Sequence, residues 1–264
     1  MIVSITNNKG GCGKTTTAAN MGAALRLRGF DVLAVDLDGQ ANLSVTLGVE
    51  ARKGSTMYDA MNNPARYIPP VRVLGPQQGA GVLDVLPASV DLAACESELS
   101  NKSDRVTRLG VFLTQYRDGY DFILIDTPPA LGLLSVAALY AADAAIITVQ
   151  PEFLAVQGLI HLNGTIGTIN ASRSVALSPR VLFTRYDRRK GLHRITVEQV
   201  RAAGFPTFDT IIRENVALGE APAVRSDVFR YAPRSNGAAD YSAFCAEFLK
   251  GTKARHRSHG HRNQ

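Results

Sequence analysis

One segment of the chain, residues 8–17, places glycines, lysines and hydroxyl side chains between an apolar run at 2–6 and a helical pattern at 18–28. In order, it reads Asn8, Lys9, Gly10, Gly11, Cys12, Gly13, Lys14, Thr15, Thr16 and Thr17. Glycines let the backbone turn its N–H groups inward onto an anion, and the N-terminus of the following helix adds its dipole. The segment therefore predicts a loop that binds the phosphate groups of a nucleoside triphosphate.

Two side chains of this loop have predicted roles in binding the triphosphate and a metal ion. Lys14 is placed to reach the β- and γ-phosphates, and the Thr15 hydroxyl to ligate Mg²⁺. The loop departs from the usual G-x-x-x-x-G-K-[ST] pattern because Asn8 stands where the first glycine belongs. Lys9 follows it, and a lysine there either folds back on its own phosphates or reaches a nucleotide bound by a partner chain. The nucleotide-binding residues predicted in the loop are Lys9, Gly10, Gly11, Cys12, Gly13, Lys14, Thr15 and Thr16.

Three aspartates lie at or just beyond the ends of two other apolar runs. Asp36 ends the run at 32–36, Asp38 lies two residues later, and Asp126 ends the run at 121–126. Because open α/β sheets bind ligands at the carboxyl ends of their strands, these carboxylates are expected to face the phosphate loop. Asp126 is predicted to hold Mg²⁺ through water, and Asp38 lies in a turn that can approach the γ-phosphate and the metal ion. Asp36 either supports Mg²⁺ coordination indirectly, without contacting the ion, or caps a turn.

The elements that must position these residues alternate along the chain as apolar runs and helical patterns. This alternation predicts a single-domain, doubly wound α/β fold of the P-loop NTPase class, with a mostly parallel sheet and helices on both faces. Strands are predicted at 2–6, 32–36, 82–86, 121–126, 144–149, 180–184 and 207–212. Helices are predicted between them, for example at 88–100, 104–117, 132–142, 153–169 and 193–203. The domain is expected to span 1–250, followed by a basic, disordered tail at 251–264.

Composition predicts a soluble, cytoplasmic protein. Hydrophobic residues make up 45% of the 264 residues, which is ample for a core. Three widely spaced cysteines without a C-x-x-C pair indicate neither a disulfide framework nor a zinc site. The first predicted strand follows Met1 directly, and no apolar run approaches the roughly 18 residues that a membrane span needs.

Positive charge is concentrated in the last third of the chain. Residues 1–179 carry 13 lysines and arginines against 15 acidic residues, whereas residues 180–264 carry 16 against 8. Such a cluster attracts nucleic-acid phosphates without regard to base sequence, although a solvated basic face without a partner is the alternative. The candidate DNA-binding residues are Arg188, Arg189, Lys190, Arg225 and Arg230.

Five segments together resemble the ParA/MinD family of ATPases, which have a deviant phosphate loop, and most closely the short ParA-type partition ATPases. They are the loop at 9–17, the D-x-D turn at 32–40, the D-T-P-P strand and turn at 120–129, and the C-terminal segments 214–222 and 231–238. Recognisable blocks run from residue 2 to about residue 249. Three positions depart from the family pattern: Cys12 replaces valine or isoleucine, Gly39 replaces proline, and Ala217 replaces a frequent DNA-contacting arginine.

The resemblance implies a slow, Mg²⁺-dependent ATPase that forms a homodimer in its ATP state. Lys9 stands at the family's signature lysine, which contacts the partner's nucleotide, and Asp38 at the aspartate that orients the attacking water. Lys9, Lys14 and Asp38 are thus the expected catalytic residues. The resemblance also implies a nucleotide contact for Arg213. Alternatively Arg213, like Arg225 or Arg230, takes over the DNA contact missing at Ala217.

The resemblance further implies a nucleoid-associated switch that positions or segregates a chromosome or plasmid. It would bind double-stranded DNA non-specifically and be released by a ParB-like activator protein. The alternative is a MinD-like ATPase that is recruited to membranes or positions a protein cargo. Because the tail at 251–264 contains no Leu, Ile, Val, Phe or Trp, no membrane insertion is expected.

Overall fold

Seven strands form one sheet in the computed structural model, which describes residues 1–252. They are β1 (Ile2–Thr6), β2 (Val32–Asp36), β3 (Val71–Leu74), β4 (Leu83–Leu86), β5 (Phe122–Asp126), β6 (Ala144–Val149) and β7 (Pro179–Phe183). Their order across the sheet is β3-β4-β2-β5-β1-β6-β7. Every neighbouring pair is parallel except β3 with β4. The predicted α/β class and mostly parallel sheet are therefore confirmed.

Eleven α-helices accompany the sheet in residues 1–252. They are α1 (Lys14–Arg26), α2 (Asn42–Thr46), α3 (Met57–Asn62), α4 (Cys95–Glu98), α5 (Arg108–Leu113), α6 (Leu133–Ala141), α7 (Ala155–Asn170), α8 (Gly191–Ala202), α9 (Val216–Glu220), α10 (Val228–Tyr231) and α11 (Asn236–Gly251). Short 3₁₀ turns lie at Val90–Ala94, Thr114–Tyr116 and Ala221–Val224. The helices predicted at 88–100 and 104–117 are thus each shorter and partly 3₁₀.

The sheet separates two hydrophobic cores because alternate residues of a strand point to opposite faces. On one face Val3 and Leu124 pack with residues of α1 and α11, including Ala19 and Phe244. On the other face Leu33, Ile125 and Ile147 pack with residues from α3 to α8. Every residue of β1, β2 and β5 is buried, as expected for strands covered on both faces. The doubly wound arrangement follows from these two covered faces.

The strand predicted at 207–212 is wrong. Only single bridges join this region to β7 and its extension, from Thr207 to Val181 and from Arg213 to Tyr186. Between them the backbone N–H groups of Asp209 and Thr210 donate to the Glu247 carboxylate of α11, at 2.9 and 2.8 Å. The segment lies beside the sheet, but a side chain takes the donors that a continuous ladder would use.

Strand β3 has no counterpart among the sequence predictions. It is a four-residue edge strand with exposed or half-buried side chains, and it pairs antiparallel with β4 through an irregular register. Its Arg72 forms an ion pair with the Asp84 carboxylate of β4. A short polar edge strand of this kind leaves little apolar periodicity to detect.

The carboxyl ends of β1, β2 and β5 lie side by side, because β5 pairs with both of the other strands. This edge carries the glycine-rich loop after β1 and two of the three predicted aspartates. Of the predicted tail at 251–264, Gly251 ends α11 and Thr252 follows it. The remainder, 253–264, lies outside the described residues.

Candidate nucleotide site

The loop between β1 and α1 adopts the backbone that its glycines allow. Gly11 and Gly13 have positive φ angles of 71° and 83°, a conformation that L side chains rarely adopt. Gly13 is the N-cap of α1, and a Cβ there would lie 3.4 Å from the Cβ of Thr184. The Thr184 hydroxyl donates to the Cys12 carbonyl at 2.8 Å, so the residue after β7 holds the loop in place. The helix N-terminus behind the loop supplies inward-facing N–H groups for an anion.

Lys14 is the first residue of α1, and its side chain is buried against the loop. Its ammonium group donates to the Lys9 carbonyl at 2.8 Å and lies 3.9 Å from the Cys12 sulfur. The Cys12 thiol donates to the same Lys9 carbonyl at 3.2 Å. Lys14 is therefore desolvated and held within the loop, where a phosphate group would meet its charge.

The two strand-end aspartates lie side by side on adjacent strands but differ in their hydrogen-bond partners. Asp36 and Asp126 are register partners at the ends of β2 and β5, and both are fully buried. The Asp36 carboxylate accepts from the Ser44 N–H at 2.8 Å, from the Ser44 hydroxyl at 2.7 Å and from the Asp38 N–H at 3.2 Å. Of the two alternatives for Asp36, this geometry favours the capping of the turn into α2.

Asp126 has no such hydrogen-bond partners within residues 1–252. Both of its carboxylate oxygens are buried without a hydrogen bond. Burial raises the pKa of Asp126 well above its ordinary value, and the nearby Asp36 carboxylate raises it further. The Thr15 hydroxyl and the Lys14 ammonium act in the opposite direction but do not outweigh burial. A buried carboxylate with two unused oxygens beside a hydroxyl fits Mg²⁺, which proteins usually bind through one or two carboxylates together with substrate phosphates.

Asp38 lies in the turn after β2 and is only partly buried. Its carboxylate accepts from the Gln40 N–H at 3.0 Å, and its carbonyl accepts from the Ala41 N–H at 2.8 Å. Ala41 then adopts a left-handed conformation with φ 53° at the start of α2. The turn thus presents Asp38 beyond the strand end, with one carboxylate oxygen engaged in an Asx turn.

Lys9 lies at the rim of the loop with its side chain 42% exposed. Its ammonium group is 3.8 Å from a carboxylate oxygen of Glu152, which is also half exposed. Exposed ion pairs of this kind are weak, so the lysine can leave Glu152 for a stronger anion. The geometry is compatible with both predicted uses of Lys9, toward its own nucleotide or toward a partner's.

Sequence reasoning did not assign Arg185 to this site. Its guanidinium donates to the Gly11 carbonyl at 3.3 Å and lies 3.6 Å from the Glu214 carboxylate. Arg185 also has a positive φ of 52°, which is uncommon for a residue other than glycine. Its only sequence signal is its position just after an apolar strand. Arg213, predicted at the nucleotide, is instead held by the Asp240 carboxylate of α11, with guanidinium contacts of 2.6–3.1 Å.

The candidate DNA-binding residues fall into two separate places. Arg188, Arg189 and Lys190 lie between β7 and α8, and Lys190 is the N-cap of α8. Arg225 and Arg230 lie on either side of the start of α10, near Glu50 at 3.2 Å and Asp227 at 2.5 Å respectively. All five residues are exposed.

Comparison with known proteins connects this geometry to a family. A family described as "AAA domain" matches residues 1–178. The chain is 39% identical over 243 residues to the "Sporulation initiation inhibitor protein Soj" of Bacillus subtilis, covering 91% of this chain and 94% of that protein. It is 37% identical over 253 residues to the "Chromosome partitioning protein ParA" of Caulobacter vibrioides, covering 94% and 93%.

A solved structure shares the whole architecture. Cobyrinic acid a,c-diamide synthase from Mycobacterium smegmatis, determined with a bound ATP analogue and magnesium, superposes with a TM-score of 0.80 at 30% identity. The match covers 96% of this chain and 95% of that one. With its phosphate loop, its strand-end aspartates and these relatives, the chain belongs to the ParA/MinD family of P-loop ATPases. In residues 1–252, no helix is both long enough and apolar enough to cross a membrane.

Proposed function

We propose that this protein is an ATP-dependent partition switch that dimerises with ATP, binds DNA non-specifically and is reset by hydrolysis. One observation supports the proposal most directly. The phosphate loop and the Asp126 carboxylate, which has no hydrogen-bond partner within residues 1–252, lie at the same edge of the sheet. Supporting it, the chain is 37–39% identical to proteins named for chromosome partitioning or for sporulation control. Segregation or positioning of a chromosome or plasmid is the corresponding cellular role.

The chain is an ATPase, with ATP and Mg²⁺ as its cofactors. When bound, Mg²⁺ would supply charge neutralisation at the β- and γ-phosphates, and Thr15 together with Asp126, through water, would hold it. Lys14 contributes a second positive charge from inside the loop, and the backbone N–H groups before α1 complete the cradle. Asp38 lies beyond the strand end, where its partly free carboxylate can orient a water molecule for attack on the γ-phosphate.

Dimerisation depends on Lys9 in this proposal. The side chain lies at the exposed rim of the loop and is held only by a weak ion pair with Glu152. A second copy carrying ATP offers a stronger anion, so the lysine would cross to the partner's phosphates. ATP then favours the dimer because it interacts differently with the two association states.

DNA binding rests on the basic segment at 188–190 together with Arg194 of α8. Arg188 and Arg194 have no carboxylate partner among residues 1–252, so both cations are available to phosphates. Arg189 is 85% exposed but forms a two-pronged pair with Asp187. In a dimer the basic segments of two chains meet one duplex, so electrostatic contacts add. A ParB-like protein that stimulates hydrolysis would release the dimer from nucleoid DNA.

The proposal is tested by DNA and lipid binding in the same buffer. With ATP, the protein should bind fluorescent duplexes of unrelated sequence about equally, and much more weakly with ADP. Charge reversal of Arg189 should weaken binding to every duplex alike, and the salt slope should fall by roughly 0.9 for each phosphate that is no longer neutralised. Anionic liposomes should recruit little protein at physiological salt. Strong ATP-dependent liposome binding without a DNA shift would favour the MinD-like alternative and refute the DNA switch.

A further inference from the structure

The acidic residue Glu214 lies beside the cations that follow β7. One carboxylate oxygen lies 3.6 Å from the Arg185 guanidinium, and the other lies 4.0 Å from the Lys190 ammonium. The pKa of Arg189 is raised mainly by its hydrogen bonds to Asp187, and the negative charge of Glu214 raises it further. A single carboxylate therefore contacts two of the cations that lie between β7 and α8.

The backbone fixes Glu214 opposite these cations. The Glu214 N–H donates to the Tyr186 carbonyl at 2.9 Å, and the Tyr186 N–H donates to the Ile212 carbonyl at 3.1 Å. These two bonds join the segment that follows β7 to the segment at 212–214. The side chain of Glu214 is 47% exposed, so it lies at the surface where DNA would approach.

Two carboxylates of the same chain, those of Asp187 and Glu214, neutralise part of the positive charge after β7. Asp187 holds Arg189, and Glu214 holds Arg185 and Lys190, whereas Arg188 has no acidic partner among residues 1–252. A cation in an ion pair must leave that pair before it can neutralise a DNA phosphate.

We propose that Glu214 restrains DNA binding by holding Arg185 and Lys190 in ion pairs within the chain, an inference that rests on the proposed DNA-binding function. The restraint tunes the affinity and does not block binding, because exposed pairs of this kind open readily. Arg185 also donates to the Gly11 carbonyl of the phosphate loop, so one of the restrained cations bridges the two sites.

The inference is tested with Glu214→Gln, which keeps the shape of the side chain and removes its charge. With saturating ATP and Mg²⁺ at low salt, Glu214→Gln should bind fluorescent duplex DNA about threefold to tenfold more tightly than the wild type. The matched control is Glu198→Gln on the exposed surface of α8, which removes one negative charge without touching these cations. That control should change the affinity less than twofold. Circular dichroism and thermal unfolding check that each variant is folded.

A general charge effect is separated from release of the two cations by a double-mutant cycle. In an Arg185→Gln/Lys190→Gln background, adding Glu214→Gln should change DNA affinity less than twofold, because there are no cations left to release. A gain that persists in this background, or no gain in the wild-type background, overturns the inference while leaving the proposed function intact. No binding by either the wild type or Glu214→Gln overturns both. Binding by Glu214→Gln without any binding by the wild type overturns the tuning role, because Glu214 would then block binding, and it also contradicts DNA binding by the wild type.

Discussion

Asp36 and Asp126 are register partners at the ends of adjacent strands, yet in the described part of the chain the first accepts three hydrogen bonds and the second accepts none. The difference separates their roles. Asp36 is occupied by the turn into α2 and by Ser44, and its pKa is raised to about 6 because burial outweighs these bonds. Both carboxylate oxygens of Asp126 lie beside the phosphate loop without a hydrogen bond from residues 1–252, as expected for a residue that binds Mg²⁺.

Asp126→Asn should therefore stabilise the nucleotide-free protein while abolishing Mg²⁺-dependent hydrolysis. The amide has the same shape and removes a buried acidic group without partners, so the free energy of unfolding should rise by about 1–3 kcal/mol. Urea unfolding and an ATPase assay measure the two effects. Asp36→Asn is the matched control, and it should lower stability by a similar amount because it weakens the bonds to Ser44. If both variants lose stability alike, Asp126 is a structural residue.

Lys14→Ala and Asp38→Ala should fail at different steps. Lys14 is proposed to contact the phosphates from inside the loop, so its removal should abolish measurable ATP binding. Asp38 lies beyond the strand end, so Asp38→Ala should bind ATP normally, accumulate the dimer and hydrolyse at least about 100-fold more slowly, as expected for removal of a general acid–base group. Fluorescent-nucleotide titration and phosphate release separate the two steps. Wild-type turnover by Asp38→Ala would contradict the role given to Asp38.

Lys9→Ala should bind ATP as a monomer and fail to dimerise, because the side chain would no longer reach the partner's phosphates. Size-exclusion chromatography with light scattering, using a slowly hydrolysed ATP analogue, measures this. Glu152→Gln breaks the same surface ion pair but keeps the lysine, so it should dimerise normally. A normal dimer from Lys9→Ala would mean that the lysine acts within its own chain.

His193 should contribute a loss of stability as pH falls below neutral, opposite in sign to the contributions of Asp36 and Asp126, whose pKa values are raised. This buried imidazole accepts a hydrogen bond from the Asp187 N–H at its Nδ1 atom, at 3.0 Å, which requires the neutral form. Burial lowers the pKa of His193, and Lys190 lowers it further, against the carboxylates of Asp187, Glu214 and Glu152. The unfolded chain therefore binds the proton first as pH falls. The contribution of His193 to the free energy of unfolding is thus fully present above about pH 6.5 and is lost as pH falls below that value.

His193→Gln should flatten the pH dependence of unfolding between about pH 5 and 7 relative to the wild type. It should also lower stability at pH 7.5 by about 1–2 kcal/mol through the weakened bond to Asp187. His161→Gln, at an exposed position of α7, should reproduce the wild-type profile. Urea midpoints measured across the pH range compare the three proteins. If His193→Gln keeps the wild-type slope, His193 does not contribute to the pH dependence.

Much of the fold could be predicted because a strand buried on both faces is a continuous apolar run in the sequence. The run at 121–126 predicted β5, and the glycines before Lys14 predicted the loop, since neither feature depends on distant residues. The region at 207–212 was mistaken for a strand because its apolar residues pack against the core in the same way. Whether it forms a continuous ladder depended on Glu247 of α11, which accepts from the N–H groups of Asp209 and Thr210 in the middle of the region.

The sequence by itself determined which residue types reach the phosphate edge: the loop, its lysines and the strand-end aspartates. Tertiary structure alone decided which of those charges are free to act. Ser44 donates hydrogen bonds to Asp36, whereas no group among residues 1–252 donates one to Asp126. Glu214 contacts Arg185 and Lys190 only because two short backbone segments pair after β7. Ion pairs and hydrogen bonds act over a few ångströms, and residues far apart in sequence come that close only through folding.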